Sequence, residues 1–254
     1  TVPLLRSRAT DALVVCKKIR LAGATRRHIQ RLDNEVRILS TLRHSHVCAL
    51  RDTFYEAAGS LCILYEYASG SSTLASIVEQ HASRREPFGT EAIEAWIAQL
   101  GSAVQYMHGE GVLHCSLSTR NIWVGSAGEI KVGDLGLSKL LGLAPDGARE
   151  GASPARPLTT RADANMHAPP SPERISGDRC GPPVDLWAIG VVLFELLTLR
   201  PPFEASSKAA LLRKISRDDY SEEALLDCGH PHRLWRLATC QALLHPDPAV
   251  RTTL

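Results

Sequence analysis

The run "DLWAIGVVLFELLTL", residues 185–199, limits what this chain can fold into more than any other stretch. It is apolar almost throughout, yet it is shorter than the ~20 residues a membrane span needs, and it carries Asp185 and Glu195. Such a segment is a buried helix, which other elements must cover. Amphipathic helices are predicted over 91–108, with Ile93, Trp96, Ile97, Leu100, Val104 and Met107 on or near one face, and over 232–244. A further helix follows from Ile29, Leu32, Val36 and Leu39 between Arg26 and Leu42. "LVVCKKI" (13–19) and "LCILYEY" (61–67) read as strands, and 112–124 and 129–137 as short strands and loops. Strands early and helices late give an α+β chain with a small sheet-rich lobe and a larger helical lobe.

Bulk properties narrow the partners. The net charge is +2, with no long block of one sign, which argues against nucleic acid and anionic membranes as partners. The 7 cysteines are scattered and never spaced C-x-x-C. That argues against a disulfide framework or a zinc site and fits a reducing, cytoplasmic setting. No secretory signal pattern and no internal repeat are visible. The Ala/Gly/Pro-rich stretch 143–157 reads as flexible loop.

The chemistry lies in single polar residues set among these elements. Lys17 ends a strand, Glu35 lies within the next helix, and Asn121 and Asp134 follow in loops. Each alone suits a surface position. In this order they match the parts that hold a nucleoside triphosphate: a lysine for phosphates, a glutamate to orient it, and Asn and Asp for a metal ion.

On these residues the chain resembles the eukaryotic protein kinases. "VVCKKI" resembles the strand that carries the phosphate lysine, and Glu35 in "LDNEVRIL" is placed like its helix partner. "HCSLSTRN" lies where H-R-D-L-K-x-x-N would lie, "DLG" (134–136) stands for D-F-G, and "SPE" (171–173) for A-P-E. "DLWAIG" opens the buried helix, and Arg251 in "HPDPAVR" would pair with Glu173. The stretches 74–100 and 200–215 are similar to the NimA-related serine/threonine kinases.

The resemblance implies a two-lobe fold, with an N-lobe over 1–66 and a C-lobe over 67–254. It places the glycine-rich loop just before Thr1 and a last helix beyond Arg251. It implies ATP and Mg2+ as cofactors, and protein substrates or partners. Val2, Val15, Lys17, Glu35, Tyr65, Glu66 and Trp123 would surround the nucleotide, with Tyr65 as gatekeeper and Val15 and Trp123 above and below the base. Asn121 and Asp134 would hold the metal. Leu39, Leu50, His114 and Leu135 would form an apolar column joining the lobes, with Asp185 beneath it.

The catalytic loop departs from the pattern. Ser116 stands where the proton-accepting Asp belongs, and no Asp or Glu occurs in 112–124. Ser118 replaces the loop lysine, Cys115 the loop arginine, and Met166 a threonine before "SPE". Without that arginine, the usual phosphorylation switch, here at Thr159 or Thr160, lacks its receiver. Three readings stay open: a pseudokinase scaffold that binds nucleotide, a weakly active serine/threonine kinase in which Arg120 supplies a replacement cation, and a nucleotide-free interaction domain closed by Tyr65 and Trp123.

Overall fold

The computed structural model describes residues 4–6, 11–57, 59–67, 72–134, 139–140, 169–178, 180–226 and 233–251. Val2, Leu135, Thr159, Thr160, Met166 and the stretch 143–157 lie outside them.

The first layer is an antiparallel sheet. β1 (Leu4–Arg6), β2 (Leu13–Arg20), β3 (Leu50–Glu56) and β4 (Ser60–Glu66) pair in the order β1-β2-β4-β3. β4 is central and its run SLCILYE is almost wholly buried, so it tolerates a near-continuous apolar sequence. α1 (Arg26–Thr41) buries Leu32, Ile38 and Leu39.

The loop after α1 joins this sheet to the second layer. Cys48 N–H donates to the Val132 carbonyl at 2.8 Å, and Val132 N–H donates to the His46 carbonyl at 2.8 Å. Val132 belongs to a second small sheet of β5 (Ser72–Thr73), β7 (Ile122–Val124) and β8 (Ile130–Val132), in the order β5-β7-β8. β6 (Val112–Leu113) pairs with β9 (Lys139–Leu140).

Helices make the larger part. α2 (Leu74–Arg84) starts at Thr73, whose hydroxyl accepts from Ser76 N–H and satisfies one of the open amides of the first turn. α3 (Thr90–Gly109) buries Ile93, Trp96, Leu100, Val104 and Met107, as its spacing predicts, while Ile97 is half-buried. Its Trp96 indole donates to the Gly128 carbonyl at 2.9 Å, which ties the helix to the β7–β8 turn. α4 (Pro172–Ser176), α5 (Pro183–Thr198), α6 (Lys208–Ser216), α7 (Glu222–Leu226) and α8 (Arg233–Leu243) complete the order.

α5 is the predicted buried helix. Every residue from Val184 to Phe194 is buried, and α3 and α8 pack against it. Gly190 makes the α8 contact possible, because a Cβ there would sit 2.8 Å from the Cβ of Leu243. The two-lobe α+β architecture inferred from the sequence is the one observed. Among the described residues no helix is long and apolar enough to cross a membrane.

Candidate active site

The loop between β6 and β7 is held from below by one carboxylate. Asp185, wholly buried at the start of α5, accepts from His114 N–H at 2.9 Å, Cys115 N–H at 2.8 Å and His108 Nε2 at 2.9 Å. Cys115 sits at φ 62°, in the left-handed region that costs a non-glycine residue about 1–3 kcal/mol. Two charge-assisted bonds to one carboxylate offset that strain. The Cys115 carbonyl accepts from the Arg174 guanidinium of α4, a contact that the sequence pattern did not indicate.

His114 is the pivot of the loop. Its Nε2 faces the Gly133 carbonyl at 3.1 Å, so this nitrogen carries the proton and Nδ1 is the acceptor. Nδ1 then accepts Ser116 N–H at 3.2 Å. Burial pushes the imidazole pKa down, partly opposed by Asp185 and by the Gly133 bond, so the ring is neutral at physiological pH.

Ser116 Oγ lies 3.3 Å from His114 Nδ1 and donates to the Asp134 carbonyl at 3.3 Å. The hydroxyl therefore ties the loop to the Asp134 segment. The Ser116 carbonyl accepts Asn121 Nδ2 at 2.8 Å, which spends the nitrogen of that amide and leaves its oxygen available for a cation. Ser118 is buried, and among the described residues its Oγ has no hydrogen-bond partner. It brings no cation to the site.

Across from the loop, Lys17 Nζ lies 3.1 Å from Asp134 Oδ1. β2 delivers the lysine, and the left-handed turn at Asp134 (φ 59°) delivers the carboxylate. The pair is part-exposed, with 33% and 51% of the two side chains accessible. Glu35 falls on α1 by its backbone, and its side chain lies outside the described residues.

A cavity of about 250 Å³ opens between these groups. Val15, Tyr65 and Trp123 line its apolar part, and Lys17, Asn121 and Asp134 its polar end. Cys48 and Gly133 also line it, and burial pushes the Cys48 thiol up to about 12, so it is an inert wall. Neither residue was legible as a site residue, because only the docking of the post-α1 loop on β8 brings them there. Glu66 lines the cavity too. Its carboxylate is held by Ala49 N–H at 2.9 Å, Lys131 at 2.8 Å and Arg51 at 3.3 Å. That side chain fixes the crossing between the lobes.

At the far side of the loop, Arg251 Nη1 and Nη2 meet Glu173 Oε1 and Oε2 at 2.6 and 2.8 Å, the bidentate pair expected from the sequence.

The sequence family described as "Protein kinase domain" matches residues 1–254. The chain belongs to the protein kinase family. This kinase domain is 32% identical over 250 residues to the serine/threonine-protein kinase Nek9 of Xenopus laevis, covering 98% of the chain and 24% of that protein. It is 28% identical over 207 residues to the serine/threonine-protein kinase Nek7 of Arabidopsis thaliana, covering 82% of the chain and 34% of that protein. It is 29% identical over 213 residues to the serine/threonine-protein kinase TIO of the same plant, covering 84% of the chain and 15% of that protein. The kinase domain is thus NimA-like, and it spans about a third or less of these relatives. Kinases of this family use ATP and Mg2+. The donor set here fits both: an amide and a carboxylate would supply the hard oxygens that magnesium takes, and an ammonium would meet phosphate.

Proposed function

We propose that this NimA-like kinase domain is a pseudokinase that retains Mg-nucleotide binding and acts on protein partners as a nucleotide-responsive scaffold. The observation that carries this reading is the division of the site. Lys17, Asn121 and Asp134 converge on a cavity, whereas the catalytic loop offers only a serine hydroxyl already donated to the Asp134 carbonyl. Val15 and Trp123 would hold the base, beside Tyr65 and the crossing at Glu66. Lys17 would meet phosphate, with Glu35 and Val2 in the roles the family gives them. Asn121 and Asp134 would hold the metal.

Ser116 is no base at neutral pH. A positioned base contributes about 10²–10⁴-fold in rate. His114 cannot substitute, because its ring is buried and Nδ1 is already bonded to the Ser116 amide.

Weak transfer is the second reading, and Arg120 favours it. The residue lines the cavity beside Asn121, and its guanidinium, 4.0 Å from Glu79 of α2, would have to turn inward to meet a transferring phosphate. Phosphoryl transfer rests mainly on positioning and charge neutralisation, so it survives loss of the base at reduced rate. The open cavity between Tyr65 and Trp123 counts against the nucleotide-free reading.

The test is a thermal melt of the intact protein with and without Mg-ATP, followed by a phosphotransfer assay. Binding at about 100 times Kd stabilises the folded state by about 2.7 kcal/mol. We expect a magnesium-dependent rise in Tm that Asp134→Asn abolishes. We also expect transfer no greater than that of a Lys17→Met control. Ser116→Asp alone restores little, because Ser118 still supplies no cation. No shift at millimolar ATP would refute nucleotide binding, and robust phosphorylation by the wild type or by Ser116→Asp would refute the loss of catalysis.

A further inference from the structure

The turn Thr119–Asn121, between β6 and β7, sets an arginine at the mouth of the nucleotide cavity on a firmly held backbone. Thr119 Oγ1 donates to Glu195 at 2.8 Å, Asn121 Nδ2 to the Ser116 carbonyl at 2.8 Å, and the Asn121 carbonyl accepts Gly133 N–H at 2.8 Å. Thr119 and Asn121 are buried, and Arg120 between them is exposed. A fixed base thus carries a free arm, and the arm has two destinations. Arg120 lines the cavity together with Asn121 and Asp134. In the structure its guanidinium leans the other way, with Nη2 4.0 Å from Glu79 Oε1 of α2, between side chains 57% and 71% exposed. A pair so long and so open contributes little and is screened by salt. Glu195, the carboxylate behind the turn, is already taken up by Thr119.

We infer that Arg120 is a triphosphate-sensing residue, which leaves Glu79 and turns onto the outermost phosphate of a bound Mg-nucleoside triphosphate. The inference rests on the nucleotide reading above. Arg120 directly precedes Asn121, which would hold the metal, and the metal of such sites bridges the two outer phosphates. A guanidinium carried next to that ligand meets the outer end of the phosphate chain, whereas Lys17 reaches in from β2 across the cavity. The third phosphate brings negative charge that a diphosphate lacks, and the planar fork of arginine matches phosphate oxygens with paired, charge-assisted bonds. That gain exceeds what the long contact with Glu79 gives, so a triphosphate draws the arm inward and a diphosphate does not. The turn inward leaves Glu79 uncompensated on α2, so the charge of that surface differs between the two nucleotide states. A nucleotide-responsive scaffold needs such a difference to present its state to a partner.

The test is calorimetry of Mg-ATP and Mg-ADP on the intact protein and three variants. Arg120→Gln narrows the preference for Mg-ATP over Mg-ADP by about 10-fold or more, the worth of a charge-assisted bond. Glu79→Gln, at an exposed position, removes the competing carboxylate and tightens Mg-ATP several-fold while leaving Mg-ADP unchanged. In the double variant that gain disappears, because the arm it acts through is gone. Both positions are exposed, so the variants fold, and their unliganded melts check this. An unchanged ratio of the two affinities in Arg120→Gln would overturn the inference and leave the nucleotide reading standing. So would a Mg-ATP affinity that ignores Glu79→Gln, or a gain that persists without Arg120. No binding of either nucleotide to the wild type at millimolar concentration would overturn the nucleotide reading and this inference with it.

Discussion

Two ion pairs in this molecule have the same chemistry and opposite settings. Glu173–Arg251 is sealed: both side chains are almost wholly buried, the contact is bidentate, and the guanidinium also donates to the carbonyls of His245, Pro183 and Pro246. It lies 5.1 Å over the Trp187 ring as well. Lys17–Asp134 is a single contact at 3.1 Å between half-open side chains. The first pair has no position to offer a ligand, so its role is to pin α4 and the segment after α8 to the base of α5. The second is open enough for solvent ions to reach either partner. Burial, more than charge, separates the clamp from the open pair.

The largest effect expected from breaking this comparison is on the sealed pair. Arg251→Met leaves a buried carboxylate without its partner, and removing one member of such a pair costs about 3–5 kcal/mol. Urea unfolding followed by circular dichroism should show that loss. The double change Glu173→Met with Arg251→Met should lose clearly less than the two single changes added together, because neither charge is then stranded. A loss under about 1 kcal/mol for Arg251→Met would mean that water reaches the site and that the two pairs are alike.

Asp134→Asn should do much less to the unliganded protein. An exposed pair is worth about 0–1 kcal/mol, and its contribution shrinks in salt. The same urea assay at low and high salt checks this. A stability loss as large as that of Arg251→Met would make Lys17–Asp134 a structural clamp and would leave the nucleotide reading without its polar end.

The sequence exposed the helices that carry this fold more directly than it exposed the two pairs. Residues 185–199 announced α5 through composition alone, and the spacing of Ile93, Trp96, Leu100 and Met107 announced α3, since burial on one face leaves a periodic trace. Glu173 with Arg251, and Lys17 with Asp134, stood out only as members of a motif set. β3 left no such trace. Its burial runs in steps of three and not two, it is the sheet edge, and its register shifts between Leu50 and Asp52. Contacts between distant segments were illegible for a different reason. Arg174 on the Cys115 carbonyl, Glu66 between Arg51 and Lys131, and Arg120 beside Glu79 depend on how elements dock, and no local periodicity encodes docking.

The smallest expected effect sharpens the comparison with a half-buried carboxylate that, among the described residues, no cation meets directly. Glu195 lies in α5 and accepts Thr119 Oγ1 at 2.8 Å. Burial raises its pKa above the ordinary 4.5, with the Thr119 bond and the charge of Arg120 pulling the other way. The sign follows from proton counting. As pH rises from 4.5, the unfolded chain releases this proton first and the native state still holds it, so stability falls until the folded pKa is passed. Above that point the cost is constant. Glu195→Gln keeps an acceptor for Thr119 and removes the titration, so the variant should melt higher than the wild type at pH 7 and at the same temperature well below pH 4.5, where both states hold the proton. His114 works in the opposite direction: its pKa is lowered by burial, so the wild type loses stability as pH falls through 6.5. The variant keeps His114, so the difference between the two melting curves isolates Glu195. A difference that does not change with pH would place the negative charge of Glu195 in a setting as well compensated as that of Glu173, and the absence of a direct cation partner would then carry no energetic meaning.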